Sequence, residues 1–164
     1  MTILVKNKHT LQIDEFQFRC CIGKNGLTKN KREGDKKTPI GVFKLGNLYY
    51  REDRISIPET KLRCIKITRN MGWCDDQLDH KNYNRLIDTK FVRKYEKLYR
   101  KDYKYDLLIP IKYNFKKPIP GRGSCIFLHL TKSYVPTAGC VAIAKNDFMI
   151  MLKILKVNSS ISIF

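Results

Sequence analysis

Apolar residues recur along this chain at two periods. Short runs alternate apolar with polar positions or gather β-branched residues: "TILVK", "LQI", "FQFRCCI", "IGVFKL", "RCIKIT", "YDLLIPIKY", "CIFLHL", "VAIA" and the terminal "SISIF". Side chains alternate across a strand, so such runs bounded by Gly, Pro and Asn predict β-strands and a mostly β domain. Two other segments follow the helical period. In "FVRKYEKLYR", Phe91, Tyr95, Leu98 and Tyr99 fall at i, i+4, i+7 and i+8, which predicts a basic helix with one apolar stripe. "NDFMIMLKILK", Asn146 to Lys156, predicts a second, with Asn146 as N-cap and Lys153 and Lys156 near the negative end of its dipole. No repeat, linker or low-complexity tract interrupts the chain.

A length of 164 residues with 43% hydrophobic content is that of one domain, residues 1–164, able to bury a core without disulfides or a metal. Six cysteines are present, Cys20, Cys21, Cys64, Cys74, Cys125 and Cys140, and no pair has C-x-x-C spacing. A zinc ribbon or redox dithiol is therefore not expected, nor any metal or cofactor, and small buried thiols are the default. "MTILVKNKHT" is too short and too soon charged for a signal peptide, and no apolar run approaches the ~18 residues that span a bilayer.

The formal charge is +18, from 33 Lys and Arg against 15 Asp and Glu. That excess favours anionic partners, but the basic residues run from Lys6 to Lys156 without a recognition motif. Sequence-specific nucleic-acid binding is not expected; a solvated cationic surface is.

Candidate chemistry lies in "HLTKSYVPTAGC", His129 to Cys140. In a strand, Cys125, Phe127 and His129 point one way and Ile126, Leu128 and Leu130 the other. Four residues of strand span about 13 Å, so Cys125 cannot exchange a proton with His129 along it. Cys140 is the natural partner, because a loop holding Pro136 and Gly139 can return the chain beside the strand it left. A free thiol, with a pKa of about 8.5, needs a neighbouring base to become a nucleophile at neutral pH. Thr137, Ala138 and Gly139 form a turn with room for a substrate carbonyl and N–H groups able to form an oxyanion hole, and a thiol there should be accessible. Spacing alone favours a structural pair: a cysteine buried in a turn and a histidine bonded to a backbone carbonyl.

"IFLHLTKSYVPTAGCVAIA" resembles the active-site segment of the L,D-transpeptidase (YkuD-like) catalytic domain, a histidine on one strand followed after a loop by Ser/Thr-x-Gly-Cys. "REGDKKTPIGVFKL", Arg32 to Leu45, resembles the same family's Thr-Pro-x-Gly hairpin, and "WCDD", "YNR" and "GRGS" resemble a bacterial subgroup of it, so that the similarity runs roughly from Cys21 to Leu152. The resemblance implies a mixed β-sandwich with a few short helices. It implies an enzyme acting on peptidoglycan stem peptides, with Cys140 attacking the bond between diaminopimelate and terminal D-alanine and His129 moving the proton. An amine of a second stem then forms a 3→3 cross-link, or water completes a carboxypeptidase or endopeptidase reaction. Carbapenems are implied as inhibitors and the periplasm or cell envelope as location, although without a visible signal peptide a cytoplasmic location stays open; a monomer is expected.

The chain departs from the family pattern in a shorter loop, in Ala138, and in Val141 and Ala142 where an Arg-containing pair usually follows the cysteine. Arg122 in "GRGS" is the candidate to hold the substrate carboxylate instead; a solvated arginine is the alternative. Trp73 and Tyr83 are candidates to touch substrate, against core packing. Asp75 and Asp76 read as turn formers or salt-bridge partners rather than an acid/base pair. "REGDKKTPIG" reads as a tight turn long enough to flank the cleft. From another class, the competing reading is a cationic module for nucleic acid or anionic cell wall on a degenerate catalytic scaffold.

Overall fold

The computed structural model describes all residues, 1–164. In chain order its strands are β1 (Thr2–Lys6), β2 (Thr10–Ile13), β3 (Phe16–Cys21), β4 (Leu27–Thr28), β5 (Thr38–Pro39), β6 (Gly41–Lys44), β7 (Leu48–Tyr50) and β8 (Cys64–Lys66). Then follow β9 (Met71–Cys74), β10 (Leu86–Asp88), β11 (Tyr95–Lys97), β12 (Leu107–Pro110), β13 (Phe127–Leu130), β14 (Val141–Ile143), helix α1 (Lys145–Ile154) and β15 (Ser160–Ile163). Ten strands form one mixed sheet in the order β6-β15-β1-β2-β3-β14-β13-β12-β7-β8, and β10-β9-β11 form a second, smaller sheet.

Its central strands are buried on both faces, which explains their nearly continuous apolar sequence. On β12 and β13, Leu107, Ile109, Leu128 and Leu130 enter a cluster of 26 buried residues that also takes Phe148, Met151 and Leu152 from α1. Leu108 and Phe127 face the opposite way, into a cluster of 8 with Trp73, Leu98, Tyr105 and Cys140. Trp73 and Tyr105 both meet Phe127 edge-on, with centroids 5.3 and 5.8 Å apart. Each such pair contributes about 0.5–1.5 kcal/mol beyond its buried area.

The fold is mainly β, as the patterns predict, but with a single helix. Helix α1 begins one residue before the predicted segment, and its N-cap is Ala144, without a side-chain cap; Asp147 complements the dipole in its first turn. The segment Phe91 to Arg100 is not helical. Tyr95–Lys97 pair with β9 instead, Glu96 lying opposite Trp73. Leu98 is buried while Phe91, at 82% exposure, is not, so the stripe read at helical spacing does not share one environment. Arg93 and Lys94 would also crowd positive charge into a first helical turn, where the dipole opposes it.

Candidate active site

Parallel pairing of β13 with β14 brings the histidine and cysteine segments together. Leu128 lies opposite Val141 and His129 opposite Ala142, so the loop returns the chain parallel to the strand it left. Three attachments hold the turn before β14. Thr137 N–H donates to Ile22 O and its carbonyl accepts from Lys24 N, both at 2.9 Å. Thr137 Oγ1 donates to Cys140 O at 2.7 Å and accepts from Gly139 N at 3.1 Å. Thr38 Oγ1, from the Thr-Pro-x-Gly segment, donates to Gly139 O at 2.8 Å. Gly139 is obligatory here: its φ is +142°, and a Cβ would lie 2.9 Å from Lys37 O.

Cys140 and His129 line the same cavity, of about 570 Å³, a size suited to a small ligand or a short peptide segment. The thiol is not the accessible one expected from the sequence. Cys140 is 7% exposed in the cavity wall, donating through Sγ to Cys125 O at 3.1 Å and accepting from Phe127 N at 3.4 Å. Burial pushes its pKa up to about 12, only partly opposed by the Phe127 N–H. His129 is buried beside Tyr105, whose ring meets it edge-on at 5.2 Å. Its Nδ1 lies 2.9 Å from Leu130 O, which makes Nδ1 the protonated nitrogen and leaves Nε2 as the ring's acceptor. Burial lowers its pKa to about 4, with Lys104 and Arg100 adding to the effect and the Leu130 carbonyl opposing it. At rest the pair is therefore a neutral thiol and a neutral imidazole.

Of the turn residues, Gly139 has its N–H occupied by Thr137, so the N–H groups of Ala138 and Cys140 are the candidates to receive an oxyanion. Thr137 and Ala138 line the cavity with Cys140. Arg122 does not: its side chain is exposed and outside the cavity wall. Trp73 and Tyr83 are likewise absent from the wall and serve the interior. Trp73 Nε1 donates to Asn84 Oδ1 at 2.9 Å, and the same oxygen receives Cys125 N at 3.1 Å. Tyr83 is fully buried, gives its hydroxyl proton to Glu33, and accepts from Gly123 N at 3.1 Å. The "WCDD", "YNR" and "GRGS" segments are thus knit into one network that sets the path of the chain into β13. Asp76 is a turn former, its Oδ1 accepting from Leu78 N at 3.0 Å, whereas Asp75 faces the cavity without a salt bridge.

The cavity wall also carries charged residues to which the sequence assigned no part in the chemistry. On the His129 side stand Arg100, Lys104 and Lys132; on the Cys125 side Glu33, Asp75 and Glu96. Arg100 is engaged with Asp102 and Glu96, but Lys104 and Lys132 form no ion pair. Lys104 is held against β13 by Leu130 N, which donates to its carbonyl at 3.0 Å. As the sequence suggests, the "REGDKKTPIG" segment flanks the cleft through Glu33, Gly34 and Lys36.

Compared with known protein families, the chain matches the L,D-transpeptidase catalytic domain, YkuD, over residues 1–163. It belongs to that family. No curated protein and no solved structure matches it. Membership makes an L,D-transpeptidase-type function on peptidoglycan, in the chemistry of the cell envelope, the functional class of this YkuD domain. No helix of the YkuD domain is long and apolar enough to cross a membrane. Its family hairpin and its Thr-x-Gly-Cys turn are physically one unit, joined by the Thr38 hydroxyl.

Proposed function

We propose that this YkuD domain is a cysteine acyltransferase that cleaves the bond between diaminopimelate and D-alanine in a tetrapeptide stem. The observation that carries this reading is the common cavity of Cys140 and His129, whose neutral resting states suit proton transfer during attack. As the sulfur–carbon bond forms, the thiol proton passes to His129 Nε2, and the carbonyl oxygen takes negative charge beside the Cys140 N–H. Collapse breaks the carbon–nitrogen bond, and His129 returns the proton to the departing D-alanine amine. An amine of a second stem, or water, then attacks the thioester; His129 accepts its proton and gives it to the released sulfur. A thiol with a pKa near 12 does not ionise in advance at neutral pH, so proton loss accompanies attack.

Lys104 takes the role first considered for Arg122. It is an unpaired cation on the cavity wall beside His129, where the donor's terminal carboxylate would leave with D-alanine. The reading is tested by incubating the protein with purified muropeptides and a carbapenem, with mass spectrometry as readout. D-alanine release and an adduct on Cys140 are expected. A wild-type protein that forms no adduct with either donor would overturn the reading and favour a binding module.

A further inference from the structure

Of all the buried side-chain oxygen and nitrogen atoms in the protein, Asp75 Oδ1 is the one without a hydrogen-bond partner. It belongs to the wall of the cavity that holds Cys140 and His129. Asp75 follows directly on β9, whose Trp73 carbonyl accepts a long 3.7 Å bond from Cys125 Sγ, and the Cys125 carbonyl in turn accepts from Cys140 Sγ. The orphan oxygen thus belongs to the side of the cavity next to the thiol.

Its setting makes the missing partner informative. The chain carries 33 basic residues against 15 acidic ones, so a neutralising cation was readily supplied, yet Asp75 forms no salt bridge. Glu33, on the same wall, also lacks a cationic partner: it accepts from the Tyr83 hydroxyl and from Ser124 Oγ, the latter at 2.7 Å. Glu96, the third carboxylate there, is the neutralised one, with Arg100 at 3.1 Å. Burial raises the Asp75 pKa; Lys94 opposes this from a distance and Glu33 and Glu96 add to it. An incoming cation would relieve both effects. The carboxylates do not converge as a metal cage does. They line a cavity whose wall also carries the unpaired Lys104 and Lys132 near His129 and Lys36 on the Glu33 segment, none of which forms an ion pair with Asp75.

We propose that Asp75, with Glu33 beside it, receives an ammonium group on the side chain of the donor's acyl residue, making the enzyme selective for diamino-acid stems whose side-chain amine is free. This rests on the reading of Cys140 as the acylated residue, because it names the part of the donor that lies on the thiol's side of the cavity. The carboxylate that leaves with D-alanine lies on the opposite, Lys104 side. One donor then satisfies both ends, and a stem without the side-chain charge leaves Asp75 unpaired and desolvated.

The experiment uses two tetrapeptide donors that differ only in whether the side-chain amine is free or N-acetylated. Acylation is followed by intact mass on the wild type, and equilibrium binding is measured separately on Cys140→Ala and on Cys140→Ala with Asp75→Asn. A charge-assisted hydrogen bond of ordinary strength predicts about tenfold or greater preference for the free amine, in KM and in binding. With Asp75→Asn, binding preference should fall to within about twofold, since one carboxylate charge is gone and the shape is kept. Equal binding of both donors to Cys140→Ala overturns the subsite without requiring any Asp75 variant to fold, as does a preference that survives in a folded Asp75→Asn protein. Preferential binding without acylation of the wild type would instead overturn the reading of Cys140 and leave the ammonium site standing.

Discussion

Thr38 Oγ1 donates a 2.8 Å hydrogen bond to the carbonyl of Gly139, the residue before Cys140, and receives one of equal length from Gly23 N. One hydroxyl therefore ties the segment that follows β3, the family hairpin and the turn that carries the thiol. Thr38→Val keeps the shape and leaves a buried N–H and a buried C=O unpaired, at roughly 1–3 kcal/mol each. Lower stability in urea and acylation slowed by about tenfold or more are expected, with Thr38→Ser close to the wild type. Unchanged acylation in Thr38→Val would show that the turn holds its shape without this contact.

The low pKa of His129 fixes the acid limb of the reaction. A base must be neutral to act, so kcat/KM for acylation should fall only as pH approaches about 4, the value held down by burial, instead of near the ordinary 6.5. Stability follows the same group. Its folded value lies below its unfolded one, so its contribution is complete above about pH 6.5 and is lost as pH falls through about 4. The difference amounts to about 3 kcal/mol as an order of magnitude. His129→Gln should lose acylation and also show a smaller drop in urea stability between pH 7.5 and 4; an acid limb at pH 6.5 would contradict the assignment.

Cys140 should be slow to react with iodoacetamide at neutral pH. Its thiolate fraction rises about tenfold per pH unit below the pKa, so the labelling rate should climb without a plateau through pH 10. Cys140→Ala should abolish adduct formation and remain folded, whereas Cys125→Ala should keep most of the activity. Peptide mapping identifies the labelled thiol, and a plateau near pH 7 would mean an ionised nucleophile at rest.

Lys104→Ala should weaken use of the tetrapeptide by about tenfold while affecting carbapenem acylation less, because the strained ring of the drug brings its own driving force. Arg122→Ala should change neither by more than about twofold, as expected for an exposed side chain outside the cavity. Adduct rates by intact mass for both variants and both donors separate the two cations; the reverse ranking would return the carboxylate role to Arg122.

The sequence makes the faces of β13 legible because strand periodicity is local. Phe127 and His129 do lie on one side of the sheet, and Leu128 and Leu130 enter the other core. The position of Arg122 was not legible for an equally local reason. Gly121, Gly123 and Cys125 have φ of +84°, +95° and +55°, so the direction of the side chains cannot be extended backwards from the strand. The burial of Cys140 depends on Tyr105 and Phe127, which join it in one cluster on the same face of the sheet although they are distant in sequence. Lys104 was silent, and Asp75 was read as a turn former or salt-bridge partner, for a related reason: among so many charged residues, only the three-dimensional arrangement distinguishes an unpaired charge on the cavity wall from one in solvent.

The hydrogen bond from Cys140 Sγ to the Cys125 carbonyl also bears on how the protein survives between encounters with substrate. Peroxides and other oxidants attack sulfur chiefly as thiolate. A sulfur that keeps its proton up to about pH 12, lodged against a backbone carbonyl and an aromatic cluster, offers them little. The arrangement that delays ionisation until a donor occupies the cavity is therefore also a form of chemical shelter, one that needs no reducing partner and no second cysteine to hold the nucleophile in reserve.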